Sequence, residues 1–156
     1  MISAHTKLIN CLIGFTKKDR QFPSVFGDIG YIVDSIEPNF KNHEDEIVNP
    51  DVLLSSRKIN HVLVVECKDG NIQKDQWKKY KKIVKENFHN LVSLHEPDRM
   101  EFNITYFCTK KSSEKLSECN FLDNSMPIVI RDETNLTLSK AHGKFNKQEI
   151  NDLFKD

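Results

Sequence analysis

Apolar residues along the first half of the chain predict three β-strands. Runs of β-favouring residues occupy residues 31–36, 47–56 and 61–68, and the polar stretch 38–45 between the first two reads as a loop. Residues 57–60 separate the second and third runs, which predicts an antiparallel hairpin. The third run is apolar on both of its faces, so we predict a central strand that is covered on both sides.

Helical spacing predicts a helix on each side of this strand region. Leu8, Leu12 and Phe15 recur on one helix face, which predicts a first helix over residues 3–18. A longer helix is predicted over residues 74–92, because its apolar residues and its lysines separate onto opposite faces.

The second half of the chain predicts a shorter series of elements. A fourth strand is predicted over residues 102–109, a short helix over 112–119, a fifth strand over 127–131 and a last helix over 146–154. Residues 21–30 contain proline and glycine and are predicted to form a loop or a broken helix. The order is helix, three strands, helix, strand and a small addition, which predicts an α/β fold in a single domain of 156 residues.

Composition narrows the classes of protein to consider. The 23 basic and 23 acidic residues cancel, so any binding to nucleic acid must come from local charge. Cys11, Cys67, Cys108 and Cys119 form no C-x-x-C pair, which indicates free thiols in a reducing compartment rather than a zinc ribbon or a disulfide framework. The N-terminus has no signal-peptide pattern, and no run approaches the roughly 18 apolar residues of a membrane span. We therefore expect a soluble, cytoplasmic protein with no membrane partner.

Two carboxylates and a lysine stand where apolar runs begin and end. Asp51 opens the apolar part of the second run, and Glu66 and Lys68 close the third. Strand side chains alternate, so Glu66 and Lys68 share a face, and Asp51 can meet them if the two runs pair. Two oxygen ligands beside a lysine suit Mg²⁺ and a scissile phosphate. The alternative is a surface hairpin with ordinary charges, although charges at the end of a buried strand are costly without partners.

These residues resemble the core motif of the PD-(D/E)XK nucleases, the restriction-endonuclease-like superfamily. A second element farther along is similar to the Q-x-x-x-Y element of its RecB-like branches, and together the motifs cover roughly residues 45–85. The matching residues are Pro50-Asp51, then after 14 residues Glu66-Cys67-Lys68, then Gln76-Trp77-Lys78-Lys79-Tyr80. The resemblance implies an α-β-β-β-α-β core, a mixed central sheet flanked by helices, and a metal-dependent endonuclease that hydrolyses DNA.

The resemblance also implies a role for each motif residue. Asp51, Glu66 and the backbone carbonyl of Cys67 would hold Mg²⁺ or Mn²⁺. Lys68 would orient or deprotonate the attacking water, or neutralise developing charge. Since an ordinary lysine has a pKa of about 10.4, we favour the electrostatic and positioning role. Gln76 would hold a metal-bound water or the substrate phosphate.

Three further residues are candidates for the same site. Tyr80 lies one helical turn after Gln76, where it either contacts the site or belongs to the core. Many members of the superfamily carry a glutamate in the first helix, and this chain has none there. His5, in the first helix, and Glu46, five residues before Asp51, are the substitutes that the sequence offers.

Lysines follow one side of the predicted second helix. They are either a solvated face or a track that contacts phosphates, which would make binding steeply dependent on salt. The lysines are Lys74, Lys78, Lys81, Lys82 and Lys85. The nuclease interpretation implies DNA as the partner, and a homodimer or a targeting partner subunit for duplex cutting. Two alternatives stay open: a non-catalytic nucleic-acid-binding or assembly module on the same fold, and a nuclease that acts on RNA.

Overall fold

The computed structural model describes residues 2–17, 26–94, 96–135 and 137–154. The strands are β1 (Tyr31–Ile36), β2 (Phe40–Lys41), β3 (Ile47–Val48), β4 (Val52–Ser56), β5 (His61–Lys68), β6 (Glu101–Thr109), β7 (Ile128–Asp132) and β8 (Thr137–His142). The helices are α1 (Ala4–Gly14), α2 (Lys74–Lys81), α3 (Lys110–Ser113) and α4 (Gln148–Asp152). Short 3-10 helices lie at Gly27–Ile29, Lys85–Asn87, His89–Leu91, Pro97–Arg99 and Leu116–Glu118. Among these described elements, no helix has the length and apolar character that a bilayer crossing requires.

Six strands form one mixed sheet in the order β1-β4-β5-β6-β7-β8, and β2 pairs with β3 in a separate ribbon. Strand β4 is antiparallel to both of its neighbours, β1 and β5. Strands β5, β6 and β7 run parallel to one another, and β8 is antiparallel to β7. The predicted hairpin is confirmed, since Val52 pairs with Val65 and Ser56 pairs with His61. The predicted α/β class, with a mixed central sheet flanked by helices, is also confirmed.

Each face of the sheet is covered by its own apolar layer. On one face, α1 packs Leu8 and Leu12 against the sheet. On the other face, α2 contributes Trp77 and Tyr80 to a second cluster. Strand β5 lies between β4 and β6 and is buried from its first residue to Cys67. The prediction of a central strand covered on both sides is therefore confirmed.

The predicted second strand over residues 47–56 is in fact two strands. Residues Ile47–Val48 form one side of the β2–β3 ribbon, and β4 begins only at Val52. The break falls at Asn49-Pro50, because proline has no N–H to donate to a ladder. The ribbon also occupies part of the predicted loop over residues 38–45. Strand β2 is only two residues long and a polar turn follows it, which is why the pattern of apolar residues missed this strand.

The prediction of one helix over residues 74–92 is wrong beyond Lys81. The ribbon binds carbonyls of the last helical turn: the Asn42 side-chain amide donates to the Lys79 carbonyl at 2.9 Å. The backbone then becomes extended at Val84, whose N–H donates to the Asn87 side chain at 2.8 Å. Hydrogen bonds from the ribbon to carbonyls of the last turn thus end α2, where the helical pattern alone would have continued the helix.

Strand β1 is an outer strand of the sheet, and its pairing with β4 is interrupted. Val33 pairs with Leu54 and Ser35 with Leu53, so Asp34 is an extra residue in a β-bulge. One carboxylate oxygen of Asp34, Oδ2, is buried with no hydrogen-bond partner among the described residues. The bulge turns the exposed side chains on either side of it, Ile32 and Ile36, toward opposite faces of the sheet.

The C-terminal part contains one strand that was not predicted. The fifth predicted strand is confirmed as β7, and β8 follows it as the other outer strand. Strand β8 was missed because its residues alternate between exposed and half-buried positions and include few large apolar side chains. The predicted helix over residues 112–119 is α3 followed by a 3-10 turn, and the last helix is confined to α4. The predicted loop over residues 21–30 falls partly on residues 18–25, which lie outside the described residues.

Replacing Gly143 with alanine is expected to destabilise the protein by about 1–3 kcal/mol. The residue has a φ of +76°, and an added Cβ would lie 2.8 Å from the Pro127 Cα. Urea denaturation measures the effect, and Gly70→Ala is the matched control because a Cβ there meets nothing within 4 Å. A Gly143→Ala protein as stable as Gly70→Ala would contradict this account of the turn.

Candidate metal centre

Three potential metal ligands meet at one edge of the sheet. One ligand atom each from His5, Asp51 and Glu66 lies within 4.8 Å of the other two. His5 comes from the first turn of α1, Asp51 directly precedes β4, and Glu66 lies in β5. Both carboxylates are buried, with 6% and 7% of their surface exposed, whereas His5 is partly exposed. The structure thus brings the two predicted carboxylates together, with the histidine that the sequence offered in place of a first-helix glutamate.

Hydrogen bonds fix Asp51 against the backbone of β5. The Asp51 N–H donates to the Val65 carbonyl at 2.9 Å, and the Cys67 N–H donates to Asp51 Oδ2 at 2.7 Å. The same Oδ2 lies 3.2 Å from His5 Nε2. Asp51 is thus hydrogen-bonded to the residues on either side of Glu66, Val65 and Cys67. These two bonds hold the two carboxylates side by side. That the Cys67 carbonyl is itself a metal ligand stays a prediction.

Glu66 has an unusual protonation equilibrium. Burial, and next the negative charge of Asp51, raise its pKa from 4.5 to about 7, against the opposing effects of the Tyr80 hydrogen bond and the Lys68 charge. The Tyr80 hydroxyl donates to Glu66 Oε1 at 2.8 Å. Tyr80 is buried in the core, and its hydroxyl also contacts Glu66. A functional role for Tyr80 stays a prediction.

Gln76 is held near Glu66 by Tyr106, a residue that the sequence pattern did not identify. The Tyr106 hydroxyl donates to Gln76 Oε1 at 3.0 Å. Tyr106 pairs with Glu66 in the β5–β6 register, so Gln76 is held over the strand next to Glu66. The alternation of residues in β6 could have shown that Tyr106 faces α2, but only the register shows which residue of β5 lies beside it.

Lys68 closes β5 on the same face as Glu66. It is partly exposed, and its positive charge acts to lower the Glu66 pKa. Its carbonyl accepts a hydrogen bond from the Ser112 hydroxyl at 3.3 Å, which ties the end of β5 to α3. The position is the one that the alternation of side chains predicted for this lysine.

Glu46 is placed elsewhere, in the turn of the β2–β3 ribbon. Its Oε1 accepts hydrogen bonds from Asn42 at 3.1 Å and from Lys82 at 3.3 Å. These bonds hold the Glu46 pKa below its ordinary value. The structure does not bring this carboxylate to His5, Asp51 and Glu66.

The lysines of the predicted second helix do not form one continuous face, since α2 ends at Lys81. Lys81 pairs with Asp123 at 2.8 Å, and Lys85 donates to the Asp98 carbonyl at 2.7 Å. Lys82 pairs with two carboxylates of the ribbon turn. The remaining two, Lys74 and Lys78, are exposed and have no carboxylate partner among the described residues. Contact of these lysines with phosphates stays a prediction.

The residues at this site fit a divalent cation of the Mg²⁺ or Mn²⁺ type. Two carboxylates suit Mg²⁺, and a mixed set of carboxylate and imidazole ligands also suits Mn²⁺. Burial disfavours the charged form of Glu66, and the neighbouring charge of Asp51 adds to this, so both raise the Glu66 pKa. A bound cation would oppose both effects and favour both charged forms.

Comparison with known proteins places the chain among relatives without assigning chemistry to the site. The model of the MJECL32 domain family matches residues 4–155. A protein of Methanocaldococcus jannaschii, named as uncharacterized protein MJECL32, is 28% identical over 170 residues, which covers 97% of this chain. The chain spans only 37% of the length of that relative. No solved structure gives a significant match.

Proposed function

The chain belongs to the MJECL32 domain family, and for this member we propose a metal-dependent nuclease that hydrolyses DNA phosphodiester bonds, as an endonuclease. The observation that carries the proposal is the meeting of His5, Asp51 and Glu66 at the strand end that also bears Lys68. Two adjacent buried carboxylates destabilise a fold unless a bound cation compensates their charges. Their order in the chain is that of the PD-(D/E)XK motif, which supports the same chemistry.

The order of elements supports a restriction-endonuclease-like topology as part of the proposal. Helix α1, strands β1, β4 and β5, helix α2 and strand β6 follow one another as α-β-β-β-α-β, with the β2–β3 ribbon inserted before β4. Strand β6 then lies parallel to β5. In this topology the end of β5, with Glu66 and Lys68, is the place where the motif residues gather.

The proposed division of labour follows from the contacts. Asp51, Glu66, His5 and the Cys67 carbonyl would hold the cation, which supplies charge stabilisation for the phosphate and an activated water at neutral pH. The Tyr80 hydroxyl donates a hydrogen bond to Oε1 of Glu66, so the second oxygen of that carboxylate would bind the cation.

Two residues would act on the substrate. The Tyr106 hydroxyl donates a hydrogen bond to Oε1 of Gln76. The amide N–H groups of Gln76 would then donate to a water or to a phosphate oxygen. Lys68 would orient the attacking water and neutralise the charge that develops on the phosphate. Neither residue needs to exchange a proton for this role.

Cleavage assays test the proposal directly. Labelled single-stranded, double-stranded and branched DNA, and RNA, would be incubated with Mg²⁺, Mn²⁺ or EDTA. We expect metal-dependent cutting of DNA that falls by at least about 100-fold in both Asp51→Asn and Lys68→Ala. The asparagine of Asp51→Asn would keep an oxygen that can accept the Cys67 N–H, so the loss would reflect the charge and not the fold. Lys144→Ala is the control, because that lysine is exposed just beyond β8, at the opposite edge of the sheet.

The other outcomes point to distinct functions. Preferential cutting of RNA would replace the substrate class and keep the site. Binding to DNA without cutting, equal in wild type and Asp51→Asn, would favour a non-catalytic nucleic-acid-binding or assembly module. Cutting only one strand of a duplex would fit a monomer with one site, whereas paired cuts would support the homodimer or a targeting partner subunit.

A further inference from the structure

We propose that Asn42 is a positioning residue that sets the distance between Asp51 and the residues of α2 that serve the metal centre. Asn42 lies in the turn of the β2–β3 ribbon and is 2% exposed. The use of the site as a metal centre rests on the proposed function, whereas the geometric claim about Asn42 does not.

The Asn42 side chain uses its full hydrogen-bonding capacity. Its Oδ1 accepts the N–H groups of Glu44 at 2.9 Å and Glu46 at 3.0 Å, which shapes the turn of the ribbon. Its Nδ2 donates to Glu46 Oε1 at 3.1 Å and to the Lys79 carbonyl at 2.9 Å. An asparagine offers two donors and two acceptor sites, and here each has a partner. The oxygen therefore serves the ribbon, and the nitrogen also reaches α2.

Further contacts join the same two elements. The His43 N–H donates to the Lys82 carbonyl at 3.0 Å, so the ribbon binds a second carbonyl at the end of α2. Lys82 Nζ returns to Glu44 at 2.9 Å and to Glu46 at 3.3 Å. These ion pairs are exposed to solvent, which weakens them. The Asn42 amide is the buried side chain that links the ribbon to the helix, beside the backbone bond of His43.

Both elements lead directly to the metal centre. The ribbon ends at Val48, and the chain reaches Asp51 only three residues later. Helix α2 carries Gln76 and Tyr80, and the Tyr80 hydroxyl is hydrogen-bonded both to Glu66 and to the backbone of Asn49. Because hydrogen bonds to β5 hold Asp51 beside Glu66, a shift of the ribbon relative to α2 would move Gln76 and Tyr80 relative to both carboxylates. Residues that orient metal ligands in this way commonly change metal affinity by roughly 10–100-fold when replaced.

The Asn42→Asp substitution distinguishes the hydrogen bonds that shape the ribbon turn from the hydrogen bond to α2. An aspartate keeps an oxygen for the Glu44 and Glu46 N–H groups, so the ribbon turn can persist. Its second oxygen replaces a donor and faces the Lys79 carbonyl and the Glu46 carboxylate, which it repels. Glu44→Gln is the matched control, since it removes an exposed ion pair in the same turn and leaves the Asn42 contacts intact.

The primary readout is the set of Tyr80 ring resonances in an NMR spectrum, because the Tyr80 hydroxyl donates to Glu66 Oε1 and the ring reports the position of α2 at the carboxylates without metal or activity. We expect these ring resonances to shift in Asn42→Asp, with the Cys67 amide, which donates to Asp51 Oδ2 within the β4–β5 hairpin, unchanged. Mn²⁺ titration should show affinity weakened roughly 10–100-fold, and Glu44→Gln should match wild type in both measurements.

The outcomes separate the two proposals. Tyr80 ring resonances and a Mn²⁺ affinity unchanged in Asn42→Asp would overturn the positioning role and leave Asn42 as a helix cap. If the wild type binds no Mn²⁺, the proposed function fails, and the Tyr80 ring resonances alone decide the role of Asn42. If Asn42→Asp does not fold, Asn42→Ser provides the same comparison, since serine can accept an N–H of the turn but is too short to reach α2.

Discussion

Replacing Glu66 with glutamine is expected to stabilise the metal-free protein at pH 8 by about 3 kcal/mol. Burial and the charge of Asp51 raise the Glu66 pKa from 4.5 to about 7, so the folded state holds this proton more tightly than the unfolded state does. The stability that the protonated group contributes is complete below pH 4.5 and is lost as the pH rises to about 7. Glutamine stays neutral, and its oxygen still accepts the Tyr80 hydroxyl.

Urea denaturation at pH 4.5 and pH 8, both with EDTA, measures this prediction. Wild type and Glu66→Gln should differ little at pH 4.5 and most at pH 8. Glu114→Gln, a change at an exposed carboxylate, should have little effect at either pH. A benefit of the same size at both pH values would show that packing, and not the charge, is responsible.

Saturating Mn²⁺ is expected to reverse the order of stability. A ligand that binds only the folded state stabilises it in proportion to the logarithm of its concentration over its dissociation constant. Wild type, with two carboxylates, should gain this stabilisation, and Glu66→Gln should gain less. The same residue would then weaken the metal-free fold and strengthen the metal-bound one, which is the behaviour expected of a site kept for its use.

Acidification from pH 6.5 to pH 4 is expected to cost about 3 kcal/mol of stability through His61. Burial lowers the His61 pKa from 6.5 to about 4. Its neutral ring fits both neighbours: Nε2 donates to Asn103 Oδ1 at 2.9 Å, and Nδ1 accepts the Tyr31 hydroxyl at 2.7 Å. The unfolded chain takes up a proton at a higher pH than the folded one, so the contribution is present above pH 6.5 and lost as the pH falls toward 4.

The measurement requires a background without Glu66. Between pH 4.5 and 6.5 the two residues oppose each other, since Glu66 lowers stability as the pH rises and His61 increases it. In Glu66→Gln, stability should therefore rise with pH over this interval, and adding His61→Gln should flatten the slope. An imidazole of His61 that protonates near pH 6.5 in the folded protein, seen by NMR, would contradict the prediction.

The sequence was sufficient for the parts of the site that depend on short-range pairing. Asp51 and Glu66 belong to one hairpin, so alternation and turn position already predicted that they meet. Tyr106 could not be predicted as a neighbour of Gln76, because its place depends on the parallel register of β5 and β6. The end of α2 depends on Asn42, which lies 37 residues away in the chain from Lys79. Contacts over that separation leave no periodic signal.

The same limit explains the missed strands. Strand β2 is only two residues long, and β8 alternates between exposed and half-buried residues at the outer position of the sheet, so neither forms a run of apolar residues. Their positions are set by what they cover or extend. A pattern of apolar residues predicts the centre of a fold best, and in this chain β5 is the example.

The bulge in β1 bears on how copies of the chain meet one another. A straight outer strand offers a row of free N–H and C=O groups to any passing strand, which invites aggregation. Here the bulge at Asp34 interrupts that row, and one carboxylate oxygen of Asp34 is buried. The exposed side chains of Ile32 and Ile36 lie on opposite faces of the sheet, so they do not form one continuous apolar surface. Deleting Asp34 would restore a regular edge, and the shortened chain would be expected to precipitate or to form sheet-extended oligomers as its concentration rises.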